Sequence, residues 1–153
     1  MRDKGKKNRQ LAVKLFDHRY QHHYSKFPGC FYCGDIAQTI DHCPPISFCS
    51  VADIAWFKKN KIKFYKVQCC MSCNTRLSNR KLFRLQDRTE YITRRLEIEA
   101  EKFVIWSKEE VKEMSPMFQK MIKGKQAMHN ALMARIRFSQ ELLCRPQDFP
   151  EEE

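Results

Sequence analysis

Apolar residues recur at helical spacing towards both ends of the chain, and at strand spacing only in its middle. Leu11, Leu15 and Phe16, continued by Tyr20, predict a helix over residues 8–24. Pro28-Gly29 ends it and turns the chain. Residues 36–40 predict a short strand, which Pro44 and Pro45 stop. Residues 51–59 predict a short helix with Trp56 and Phe57 on its apolar side. A partly alternating segment, 62–68, predicts a second strand, with a helix over 74–87 behind it. The remainder is helical in pattern. Tyr91, Ile92, Leu96, Phe103 and Val104 can share one face over 89–106. Ser107-Lys-Glu-Glu110 is a capping box opening another helix. Gly124 predicts a stop, and a last helix covers about 126–143. Met114, Met117, Met121, Met128 and Met133 predict adaptable core packing in that region. The pattern predicts an α+β protein. A small core with two strands is flanked by an N-terminal helix and a mostly helical C-terminal region.

Composition adds limits. A chain of 153 residues with 42% hydrophobic side chains can build one domain of ordinary size. It contains no run of about 18 apolar residues, so no membrane-spanning helix is expected. The basic start, Met1-Arg-Asp-Lys-Gly-Lys-Lys, leads into no apolar stretch of the secretory kind, so a cytoplasmic protein is expected.

The net charge of +11 is uneven. Residues 1–26 carry 8 basic and 2 acidic side chains, and residues 58–95 carry 12 and 2. Residues 27–57 hold three acidic side chains and no Lys or Arg. Basic flanks around an acidic centre suit a polyanionic partner gripped beside a divalent cation.

Eight cysteines in a reducing compartment point away from disulfides and towards metal ligation for some of them. Cys30-Phe-Tyr-Cys33 and Cys70-Met-Ser-Cys73 have ligand spacing. Two such turns supply four thiolates to a tetrahedral zinc ion, and together they are a strong signal. The clamp would join residue 33 to residue 70 and close a loop holding Asp41-His42-Cys43-Pro44-Pro45. Cys69 is a possible substitute for Cys70, but Cys70 has the CxxC spacing with Cys73. Cys43, Cys49, Cys69 and Cys144 are read as free thiols. His18, His22, His23 and His129 are read as ordinary histidines.

The order CxxC, Asp41-His42-x-Pro, then CxxC followed by Asn74 resembles the HNH nucleases of the ββα-metal type. Within them it is most similar to phage junction resolvases of the endonuclease VII type. The resemblance covers residues 30–74 and extends loosely to about 85. It implies a structural zinc on Cys30, Cys33, Cys70 and Cys73. It implies a catalytic Mg2+ or Mn2+ on Asp41 and Asn74, and His42 as the general base that activates water. Such chemistry is consistent with hard oxygen ligands for the second metal and a neutral imidazole for the proton. The family's middle Asn, which helps orient the base, has no certain counterpart, and Asn60 is the candidate. Residues 46–61 look like an insertion. Arg76, Arg80, Lys81 and Arg84, expected on one helix after Asn74, are candidates for phosphate contact.

The expectation is therefore a metal-dependent endonuclease that hydrolyses phosphodiester bonds in DNA. The alternative is a non-catalytic zinc-knuckle protein that binds nucleic acid. Four segments are expected: a basic helix (1–28), the nuclease core (29–87), a helical region for packing or homodimerisation (88–146) and an acidic tail (147–153).

Overall fold

The computed structural model describes residues 2–150. It is an α+β protein, as the pattern predicts. Glu151–Glu153, the acidic part of the expected tail, lie outside the described residues. Helix α1 spans Arg2–Phe16 and ends eight residues before the expected boundary. A single 3-10 turn, Asp17–Arg19, follows, and then a two-residue strand, β1 (Gln21–His22). Pairing overrides the helical pattern here. Gln21 N–H donates to Phe64 O at 2.9 Å and His23 N–H to Lys66 O at 3.1 Å. The expected α1 stripe is also displaced in part. Leu11 and Leu15 are exposed, whereas Phe16 and Tyr20 of the expected stripe do pack, together with Ala12, against Ile46 and Cys49.

Strand β2 (Thr39–Cys43) pairs antiparallel with β3 (Tyr65–Cys69), and β1 pairs parallel with β3 on its other edge. The sheet thus has three strands in the order β1-β3-β2, one more than expected. Strand β2 lies three residues later than predicted, because its ladder with β3 runs through Asp41 and His42 to Cys43. Pro44, which has no N–H to offer, follows the last rung.

Helix α2 (Val51–Lys59) occupies the insertion and is opened by a capping box between Ser50 and Asp53. Phe57 is buried, but Trp56 is half exposed, against expectation. Helix α3 is short (Met71–Leu77). It stops where Ser78 takes a left-handed φ of 36°, so no single helix covers 74–87. Helix α4 spans Leu85–Glu101 and α5 spans Lys108–Lys112, the latter with the expected capping box of Ser107 and Glu110. Helix α6 is continuous over Pro116–Leu143 and passes through Gly124. A glycine inside a helix costs only about 0.5–1 kcal/mol relative to alanine, too little to end one of this length. Met117, Met121 and Met128 on α6 are exposed, so the core reading of the methionines holds only for Met133, which packs partly against the core.

The core explains where the C-terminal region goes. Leu85, Ile92 and Leu96 of α4 meet Leu132, Ile136 and Leu142 of α6, and the same cluster contains Val67, Leu77 and the four knuckle cysteines. Burying a side chain such as Ile92 or Leu96 contributes about 1.5–3 kcal/mol. The hydroxyls of Thr93 and Ser139 bond to each other between the two helices. The helical region therefore packs onto the knuckles. Its approach is close at Gly34, whose φ is +76° and where an added Cβ would lie 2.7 Å from the Phe138 ring. Among the described residues, no helix is long and apolar enough to cross a membrane.

Candidate metal centre and adjoining cleft

The first knuckle is a tight turn: Gly34 N–H donates to Cys30 O at 2.9 Å, and Phe31 N–H donates to Gln68 O of β3 at 2.9 Å. The second knuckle is the start of α3. Cys70 is its N-cap, and its Sγ accepts from Cys73 N–H at 3.3 Å. Because β2 and β3 pair between them, the two turns meet. The Sγ atoms of Cys30, Cys33, Cys70 and Cys73 all lie within 4.8 Å of one another, and all four residues are buried. Cys33 and Cys70 are 3.7 Å apart. A tetrahedral ion with metal–sulfur distances of about 2.3 Å needs sulfurs about 3.8 Å apart. These four cysteines can hold a metal ion. Cys69 does not substitute for Cys70: its Sγ is bonded to Cys70 O at 3.3 Å.

Electrostatics fit a cation in the cluster. Without one, hydrogen bonds from Cys30, Cys33 and Cys73 push the Cys70 thiol far down, while the same crowding pushes Cys33 and Cys73 up. Four thiolates this close repel one another, and added positive charge lets them coexist. Part of that charge comes from α6. Arg135 Nε donates to Cys33 Sγ at 3.3 Å, and its Nη2 lies 3.7 Å from Cys73 Sγ, 3.9 Å from Cys70 Sγ and 3.3 Å from Ser72 Oγ. Arg135→Gln should weaken metal retention about 10- to 100-fold, the usual effect of losing a hydrogen-bond partner of metal ligands. Competition against a chromophoric chelator measures this. Unchanged retention would mean that Arg135 only packs there.

Asp41 is placed differently from expectation. Neighbours on a strand point to opposite faces. Asp41 points inwards and is only 4% exposed. Its Oδ1 accepts from Arg88 Nη2 at 2.7 Å, and its Oδ2 accepts from Arg88 Nε at 2.9 Å and from Tyr32 OH at 2.5 Å. Burial, and then the charge of Asp41, hold the Tyr32 phenol well above its ordinary value, so it stays protonated and donates. The carboxylate is the counter-ion of a fully buried guanidinium. Asp41 and Asn74 both contribute to the wall of one cleft, but the Asp41 carboxylate is engaged there by Arg88 and Tyr32.

His42 points the other way. It lines an open cleft of about 520 Å³ together with Asn74 and Asn79, Ser47, and Asn8 and Arg9 of α1. Its Nε2 bonds to Asp17 Oδ1 at 2.8 Å, and Lys66 Nζ donates to Asp17 Oδ2 at 3.0 Å. Hydrogen bonds from His42 and then Lys66 hold the Asp17 carboxyl below its usual range. Arg9 is the basic residue of α1 in the cleft wall; Lys4, Lys6, Lys7 and Lys14 are exposed elsewhere on the helix.

The remaining candidates are scattered. Asn60 is the C-cap of α2, its Nδ2 donating to Trp56 O at 2.8 Å, and it does not line the cleft. The break at Ser78 separates the four expected phosphate contacts. Arg76 on α3 is paired with Glu99 and bonded to Ser72. Arg80 lies over the Tyr91 ring at 4.5 Å. Lys81 is exposed in the connection to α4, and Arg84 is the N-cap of α4. Sequence reasoning missed Asp17, Tyr32, Arg88 and Arg135. Arg88 had a signal, since it stands in the apolar stripe of α4 at helical spacing with Leu85 and Ile92. Comparison of the chain with protein-family models, with curated proteins and with solved structures finds no match.

Proposed function

We propose that this protein is a zinc-stabilised endonuclease of the HNH type that hydrolyses phosphodiester bonds in DNA, with His42 as general base. The observation that carries the reading is the position of His42. It stands with Asn74 and Arg9 in an open cleft, and Asn74 directly follows Cys73 of the four-cysteine clamp. Zinc is the metal proposed for the clamp, because four thiolates in tetrahedral reach select it over hard cations. Arg9 in the cleft and the exposed lysines elsewhere on α1 would supply sequence-independent grip on a phosphate backbone. A neutral imidazole in the cleft can take the proton of an attacking water near neutral pH. Asn74 would offer its amide oxygen to a Mg2+ or Mn2+ ion, which would neutralise charge on the phosphate.

The test is nicking of supercoiled plasmid by wild type and His42→Ala, with magnesium, manganese or chelator. Loss of a general base should cost about 10²–10⁴-fold in rate, with folding and DNA binding retained. Equal nicking by both proteins would defeat the assignment.

The engagement of Asp41 by Arg88 favours a second reading, a non-catalytic zinc-knuckle protein that binds nucleic acid. In that case neither protein nicks, and DNA binding persists with a steep salt dependence.

A further inference from the structure

We propose that Asp17 is the positioning residue for His42, holding the imidazole with its hydrogen on Nε2 and leaving Nδ1 as the proton acceptor; this rests on the nuclease reading above. A carboxylate only accepts, so the 2.8 Å contact requires Nε2–H. The second ring nitrogen then keeps its lone pair. Lys66, the cross-strand partner of His42, takes the other Asp17 oxygen at 3.0 Å and so fixes the carboxylate between them. Tyr20 closes the opposite side. Its ring meets the imidazole edge-on at 4.8 Å, and its own place is set by OH donation to Pro44 O at 2.6 Å. The imidazole is thereby held by three elements: the turn after α1, the segment entering β1, and β3. This is the task expected of Asn60, which the fold assigns to the end of α2.

The charged groups on this face are Asp17, Lys66 and, across the cleft, Arg9; the adjoining Asp41 is bonded to Arg88. Asp17 bonds to His42 and Lys66 and to neither knuckle nor Asn74, so its effect on cleavage would run through that pair.

The experiment compares wild type, Asp17→Ala, Asp17→Asn and His42→Ala by plasmid nicking and by ¹⁵N NMR of the imidazole nitrogens. Wild type should show the Nε2–H tautomer. Asp17→Ala should lose that preference, and kcat should fall about 10- to 100-fold with KM within about twofold. Asp17→Asn, whose Oδ1 still accepts, should recover the tautomer and part of kcat, which also shows that the variants fold. Wild-type kcat and tautomer in Asp17→Ala, with His42→Ala inactive, would overturn the positioning role and leave the nuclease reading standing. A loss confined to KM, or equal in Asp17→Ala and Asp17→Asn with the tautomer unchanged, would also overturn it. Full activity of His42→Ala would instead remove the nuclease reading and this proposal with it.

Discussion

Cys73→Ser should yield a chain that retains no metal and shows no cooperative thermal unfolding. Cys73 is fully buried in the first turn of α3, and its backbone N–H caps the helix through Cys70 Sγ. Serine keeps the shape but offers a hydroxyl, which does not ionise near neutral pH and is a poor ligand for a soft site. Structural zinc contributes about 10–16 kcal/mol of apparent binding free energy in zinc-finger peptides at pH 7, whereas whole domains are stable by about 5–15 kcal/mol. Losing one of four ligands therefore removes a contribution as large as the net stability. Elemental analysis should find one zinc per wild-type chain and none in the variant, and circular dichroism should lose its sharp transition. Because binding needs thiolates, wild type should also release metal as pH falls, never as it rises towards 8. A folded, metal-free Cys73→Ser protein would contradict the structural role of the clamp.

Arg88→Ala should cost about 3–5 kcal/mol, because it strands the Asp41 carboxylate in the core. Arg88 is 0% exposed, and its guanidinium satisfies both carboxylate oxygens and Leu82 O. Urea unfolding measures the loss. Replacing both partners, Arg88→Met with Asp41→Leu, should recover part of it, since no buried charge remains although the Tyr32 hydroxyl and Leu82 O lose a partner. The same double variant decides what Asp41 does. If its carboxylate only neutralises Arg88, the refolded double variant keeps its DNA nicking. If Asp41 must reach a cation, stability returns in part and nicking does not.

The knuckles were legible because their chemistry is local. Two ligands three residues apart come from one turn, and four sulfurs need only that the turns meet. The capping boxes at Ser50 and Ser107 are local in the same way; Ser107 was readable, and both are formed. What could not be read depended on pairing over distance. Asp41 and His42 look like one motif in sequence, yet a strand turns adjacent residues to opposite faces, and only the ladder with β3 shows that both lie in a strand. Asp17 lies 25 residues from His42, in a segment whose pattern continues as helix, so nothing local marks its contact. Arg135 lies between Leu132 and Ile136 on α6 and could be suspected as a buried cation, but its thiolate partners are up to 102 residues away. Gly124 and the methionines misled for the opposite reason. Propensity is a weak prior, and α6 is held by its packing on α4 at Leu132 and Ile136, so its distal half stays helical while exposing Met117, Met121 and Met128.

The reach of Arg135 back to the knuckles also sets an order of events during synthesis. All four cysteines are made well before α6 exists, and at about 5–20 residues per second the interval from Cys73 to Arg135 lasts about 3–12 s. For that time the clamp can form but lacks its cover of Leu132, Ile136 and Arg135. A metal ion that binds in this interval would enter an open, exchangeable site, which the arrival of α6 would close. A nascent chain that meets no metal in this window would leave a half-formed core exposed, the kind of surface through which folding intermediates aggregate.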